Sequence, residues 1–312
     1  MCYPLPCPEV ASYFCPHPLL CFFFSHTHRA FQDAGATCTE TVPRRQLPIC
    51  RGFFSWAPDL GARPNSECYS YVGAAGARSA RACTRDANQA LIAIQLASRA
   101  GVLPDYDHRL LSRELALFPE WYLARHLGLT LDDRQQTTLQ TAFAAILANN
   151  LSQTRVFVHR DYHSRNLMVV GDTSPAFPAN PGVLDFQDAV YGPLTYDLVS
   201  LYRDAYIDWP EEQELDFVIR YWDAARQAGL PVHADFHDFY RDYEWMGAQR
   251  QLKVLGIFAR LCHRDGKENY LADMPRVLHY LRRTCQRYGE LRPLARLLDT
   301  VDDQPAVAGY TF

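Results

Sequence analysis

Lysine is almost missing from this 312-residue chain: Lys253 and Lys267 stand beside 29 arginines, and residues 1–252 contain none. Chemistry that needs an early lysine is therefore excluded. Long apolar runs are missing as well. Residues 19–24 form an apolar run of six, far below the roughly 20 that span a bilayer. No Lys or Arg precedes Arg29, so the charged start of a secretory signal is absent. A cytoplasmic protein that avoids membranes is expected. There is no basic excess, because 31 Lys and Arg face 35 Asp and Glu for a net charge of -4. Nucleic-acid binding is disfavoured on that ground. No CxxC pair occurs, and the spacing of Cys15, His17, Cys21, His26 and His28 matches no zinc finger. Gly73 and Gly76 in GAAGAR lack the Lys-Ser/Thr ending and the preceding apolar strand of a phosphate loop.

What is present is unevenly placed. Hydrophobic residues make up 48% of the chain, enough for a core. Eight of the ten cysteines lie in residues 1–85, which also hold nine prolines and a net charge of +3, whereas residues 86–312 carry -7. No sustained period of 2 or 3.6 runs through residues 1–85. A disulfide framework there would suit a secreted protein, which the remainder does not resemble.

From Asp86 onward the spacing is that of a folding chain. Asp86 can cap a helix carrying Ala90, Leu91, Ile94 and Leu96, closed by Gly101 and Pro104. A second helix is predicted near 110–127, kinked or divided at Pro119, and a third over about 132–149. Short β-branched runs at 155–159, 167–170 and 182–186 read as strands separated by loops. Helical spacing returns over 196–206, 211–227, 235–263, 275–287 and 291–298. No internal repeat is evident.

The stretch that carries chemistry is HRDYHSRNLMVV at 159–170, followed by VLDFQD at 183–188. Asp161 and Asn166 share a loop between apolar runs, and Asp185 ends the next apolar run. A lone Asp in a loop is usually a cap or turn former; the joint pattern is what counts. Carboxylate and amide oxygens are hard ligands suited to Mg2+, which binds through one or two carboxylates together with phosphate oxygens. Phosphoryl transfer needs that metal and one carboxylate placed to receive the acceptor's proton.

These residues, with YGPLTYDL after them, resemble the protein-kinase-like fold and, within it, the aminoglycoside phosphotransferase family. The spacing matches the kinase H-R-D-x-x-x-x-N signature, with DFQD in place of DFG. The wording HRDYHSRNLM, PGVLDFQDAVYGPLTYDLVSLYRDAYIDWP and RELALFPEWYL is most similar to bacterial anomeric kinases of N-acetylmuramate and N-acetylglucosamine in peptidoglycan recycling, over about residues 86–300. The resemblance implies an α+β fold with a mostly helical C-lobe and short central strands, ATP and Mg2+ as cofactors, and a small-molecule sugar as substrate.

Residue by residue, the resemblance implies Asp161 as catalytic base, Asn166 and Asp185 as Mg2+ and nucleotide ligands, and Asp197 as the carboxylate that braces the loop. His159 is expected to pack against the metal loop, and His163 is a candidate wall of the site. Arg165 could approach phosphate or be solvated, and Asp188 could support the metal or cap a turn. Glu114, Glu120 and Trp121 are candidate sugar contacts, with a solvated helix face as the plain alternative for the two glutamates.

The fold also implies a nucleotide-binding N-lobe, which residues 1–85 do not resemble. They are read as an aberrant, poorly ordered segment, replaced or translated out of frame, joined to an intact C-lobe at 86–312. An active sugar kinase, a non-catalytic remnant and an aminoglycoside-modifying kinase are the three functions left open.

Overall fold

Helical spacing that gives way once to strand spacing and then returns is also the order seen in the computed structural model, which describes residues 77–168 and 180–302. Helix α1 (Ala77–Leu96) leads to α2 (His108–Leu115), a π-helical segment (Phe118–His126) and α3 (Asp133–Ser152). Strands β1 (Arg155–Val158), β2 (Leu167–Met168), β3 (Gly182–Val183) and β4 (Val190–Pro193) come next. Helices α4 (Tyr196–Tyr202), α5 (Glu211–Gln227), α6 (Phe236–Asp265), α7 (Met274–Arg287) and α8 (Arg292–Asp302) complete the chain's described part. The architecture is α+β, mostly helical, with short strands in its middle.

Local chemistry explains the helix ends. Asp132 accepts from the Gln135 backbone N–H at 2.7 Å while the Gln135 side chain accepts from the Asp132 N–H at 2.9 Å, a reciprocal cap that starts α3. Asp107 caps α2 through the Leu110 N–H, and Asp235 caps α6 through the His237 N–H. Gly266, at φ 66°, ends α6 with its own N–H on the Cys262 carbonyl and the Lys267 N–H on that of Leu261. Pro119 divides the helix expected over 110–127: α2 stops at Leu115, and the chain resumes as a π-helix with the proline in its first turn.

Helix α6 is the central element, 30 residues long and so about 45 Å at 1.5 Å per residue. It packs against α3, α4, α7 and the π-helical segment. A Cβ built on Gly256 would lie 2.5 Å from the Leu117 carbonyl, so glycine is what lets the two backbones touch. Leu111, Leu115, Phe118, Leu252 and Leu255 fill the contact with no exposed surface, each contributing roughly 1.5–3 kcal/mol. Arg203 is sealed in the same core, donating to Glu214 at 2.6 Å and Glu244 at 2.9 Å.

Three expectations need correction. Asp86 does not cap a helix. It lies inside α1, 3.4 Å from Arg85, because no breaker interrupts the Ala- and Arg-rich run between Ala77 and Leu96. Residues 77–85 are thus helical and continuous with residues 86–96, while the expectation of poor order and the GAAGAR glycines up to residue 76 lie outside the described residues. The strand expected over 182–186 ends at Val183, while the one expected over 167–170 is a strand at Leu167 and Met168 and its last two residues lie outside the described residues. A strand not anticipated, β4, pairs antiparallel with β1, Val158 opposite Val190, and β2 pairs separately with β3, Leu167 opposite Val183. The strands therefore form two ribbons.

Candidate active site

The two ribbons set the loop between them. As β1 ends at Val158 the chain turns through His159 and Arg160, and Arg160 has φ 76°, a left-handed conformation uncommon for a long side chain. The surroundings hold it there. The buried Asp197 at the start of α4 accepts the His159 N–H at 2.6 Å and the Arg160 N–H at 3.0 Å. Burial pushes the Asp197 carboxyl up to about 7, while the two N–H donors and the Arg250 charge pull it down and Asp161 pushes it further up.

Arg160 is fixed at its other end too. Its Nη2 donates to Glu114 Oε1 at 2.6 Å, and Lys253 Nζ reaches the same oxygen at 2.9 Å. Tyr106 donates to the other oxygen of Glu114, and Lys253 donates to the Tyr196 hydroxyl at 2.8 Å. Burial works against the charge on Lys253, but Tyr196 and Glu114 outweigh it and raise its pKa. Glu114 is buried, so the structure places it in this ion cluster behind the loop and not on a solvated face.

Asp161 and Asn166 are brought together. Asn166 Nδ2 donates to the Asp161 carbonyl at 2.9 Å, closing the loop, and no described residue donates to the Asn166 amide oxygen. Across the β2–β3 ribbon the Leu184 N–H donates to the Asn166 carbonyl at 2.9 Å, which sets Asp185 beside Asn166. Asp185 is exposed, at φ 70°, and accepts from Gln187 Nε2 at 2.8 Å. One amide oxygen and one exposed carboxylate fit a hard divalent cation whose remaining ligands are phosphate and water.

The other predicted residues divide. His159 is buried edge-on to Tyr162, with ring centroids 5.9 Å apart; burial lowers its pKa against the pull of Asp161, so the ring is neutral near pH 7. His163 lies edge-on to Tyr206 at 5.7 Å and is likewise lowered by burial, with Asp204 opposing. Arg165 stacks over the Tyr206 ring, and the Asp188 side chain is exposed while its carbonyl faces Arg160. Glu120 is exposed on the π-helical segment, and the half-buried Trp121 lies under the Arg125 guanidinium at 5.2 Å. The structure does not join either of them to Asp161 by a contact.

A sequence model of the phosphotransferase enzyme family matches residues 23–236, more than half of the chain. The chain belongs to that family. The match takes in residues 23–85 as well as the site. Among relatives, the N-acetylmuramate/N-acetylglucosamine kinase of Neisseria meningitidis is 53% identical over 71% of this chain and 65% of its own length, just under two thirds. The proteins of the same name from Pseudomonas putida and Pseudomonas aeruginosa are each 46% identical, over 80% and 82% of this chain and 69% and 72% of theirs. A solved ADP-bound aminoglycoside phosphotransferase aligns at 15% identity over 68% of this chain and 67% of its own, with a TM-score of 0.40.

Sequence reasoning did not find Lys253, Tyr106 or Asp204, although the site is built on them as much as on the motif, nor Arg250, whose charge acts on Asp197 and His163. Asp204 accepts both the Ser164 N–H at 3.1 Å and its hydroxyl at 2.5 Å, anchoring the turn before Asn166. The available signal was in α6, where Gln249, Arg250, Gln251 and Lys253 interrupt an apolar stretch running from Trp245 to Leu255. Polar groups in the middle of a central helix need partners.

Proposed function

We propose that this chain is an ATP-dependent kinase that phosphorylates the anomeric hydroxyl of N-acetylmuramate and N-acetylglucosamine. The observation that carries the reading is the closed loop, in which the Asn166 amide bonds back to the Asp161 carbonyl while Asp197 holds the N–H groups of His159 and Arg160. The high identity to kinases named for those sugars supports the choice of acceptor.

In this reading Asp161 orients the acceptor hydroxyl and takes its proton, a role worth roughly 10²–10⁴ in rate. Asn166 and Asp185 would hold Mg2+, which when bound neutralises charge on the donor phosphates. Arg160, drawn to Glu114 and away from Asp161, keeps its charge from pairing with the base. The test is Mg2+-dependent ATP consumption by the full chain with each sugar and with an aminoglycoside as acceptors. Turnover of the sugars supports the reading, and Asp161→Asn should lose at least about 100-fold in kcat with its Tm kept. Sugar phosphorylation by Asp161→Asn at the wild-type rate would remove Asp161 as base, and aminoglycoside turnover alone would replace the acceptor.

A second reading, a remnant whose nucleotide lobe has been replaced, rests on the missing early lysine and the composition of residues 1–85, and the family match through residues 23–85 counts against it. It requires no ATP consumption with any acceptor. Reading the encoding DNA upstream of codon 86 in its other two frames would reveal a family-like lobe if the replacement arose from a frameshift.

A further inference from the structure

Three cations are buried among the described residues, and one of them has no anion in direct contact. Arg203 is paired with Glu214 and Glu244, and Lys253 with Glu114. Arg250 is 7% exposed, yet its guanidinium makes no hydrogen bond and no ion pair with any described residue. The sealed, unpartnered polar atoms include nitrogens of Arg160 and Arg260 but none of Arg250, so this guanidinium keeps a narrow access to solvent.

Its position is defined by its neighbours. Lys253 lies three residues later on α6, on the same face of the helix, with its Nζ on Glu114; Glu114 in turn holds Arg160, the residue before Asp161. The charge of Arg250 acts on His163, Tyr206 and Asp197, and His163 and Tyr206 stack edge to face beside the loop. Of the carboxylates in this region, Asp197 has two backbone N–H groups and Asp204 has the N–H and hydroxyl of Ser164, while the Asp161 carboxylate is held by no described side chain and is left to the acceptor. None of them needs Arg250 as its hydrogen-bond partner.

Burying a guanidinium without an anion costs several kcal/mol, a cost a ligand can offset by bringing the anion. Guanidinium is shaped to take a carboxylate through two parallel bonds. The two sugars of the proposed reaction differ at one group: N-acetylmuramate bears a lactyl ether that ends in a carboxylate, and N-acetylglucosamine has a hydroxyl there. We propose that Arg250 binds the lactyl carboxylate of N-acetylmuramate and so sets the preference between the two acceptors. This inference rests on the kinase reading of the site.

The test uses the full chain as wild type, Arg250→Met and Arg250→Lys, with kcat/KM measured on both sugars. A charge-assisted bond of about 1.5–3 kcal/mol corresponds to roughly 10- to 100-fold. The ratio of N-acetylmuramate to N-acetylglucosamine efficiency should fall by that factor in Arg250→Met and recover in part in Arg250→Lys. Without any substitution, the methyl ester of N-acetylmuramate should bind wild type at least about 10-fold more weakly than the free acid. An unchanged ratio, an equal loss on both sugars, or equal binding of acid and ester would overturn the proposal.

If wild type turns over neither sugar, the kinase reading fails, and equilibrium titration with acid and ester still decides the role of Arg250. A preference for the acid that Arg250→Met abolishes supports it. No preference rejects it.

Discussion

Replacing Asp197 by Asn asks whether the loop is held by shape or by charge. The carboxylate accepts two backbone N–H groups in a fully buried position. Burial raises it from 3.8 to about 7, so holding it ionised at higher pH costs about 4 kcal/mol. Asn removes that cost, keeps one acceptor oxygen and sets an NH2 group against the second N–H. The lost charge-assisted bond and the stranded N–H each cost roughly 1–3 kcal/mol. The two sides nearly cancel, and a net change within about 2 kcal/mol moves Tm by less than about 8 °C in a domain of this size.

The rate has no such compensation. A reacting group displaced by about 1 Å can lose roughly 10² in rate, so kcat should fall about 100-fold while the fold persists. Stability against pH supplies a second readout. Between 3.8 and about 7 the folded chain keeps a proton that the unfolded chain has released. Stability from this group is therefore fully present below 3.8 and lost as pH rises to about 7. Asp197→Asn should flatten that part of the Tm profile. Wild-type kcat, a Tm loss beyond about 15 °C, or an unchanged pH slope would refute the reasoning.

Asp185→Ala should abolish the Mg2+-dependent part of nucleotide binding in a calorimetric titration, and binding unaltered by Mg2+ in both forms would count against its ligand role. Gly256→Ala should lower stability by about 1–3 kcal/mol, since the new methyl meets the Leu117 backbone, which cannot swing aside; denaturant midpoints report it, and a more stable variant would mean that α6 shifts freely. Arg203→Met leaves Glu214 and Glu244 short of a sealed partner and should cost about 3–5 kcal/mol, whereas a loss under about 1 kcal/mol would show that Arg283, which also pairs with Glu214, and Arg287, which also pairs with Glu244, are sufficient.

The parts of this protein legible in its sequence are those fixed by neighbours along the chain. The break at Pro119, the helices over 211–227 and 235–263, and the Asp161–Asn166 spacing are local and were readable. Asp197 was found only because the family resemblance carries it. What escaped depends on distant pairings. Strand β4 exists because Val190 meets Val158 across the chain, not because YGP has strand character. Glu114 reads on its own helix as a sugar contact or a solvated glutamate, and it is buried because Arg160 and Lys253 arrive from other elements. Asp86 shows the opposite error, in which a good cap residue was given more weight than the uninterrupted helical run around it.

The pairing of Lys253 with Glu114 has a practical side for anyone handling the molecule. With one of the chain's two lysines enclosed and engaged, Lys267 is the single exposed ε-amine, seated just after the Gly266 stop of α6. Amine-reactive dyes and surface linkers should therefore attach at one defined side chain, leaving the α-amino group as the other target. The scarcity of lysine confines side-chain amine labelling to one position without engineered cysteines.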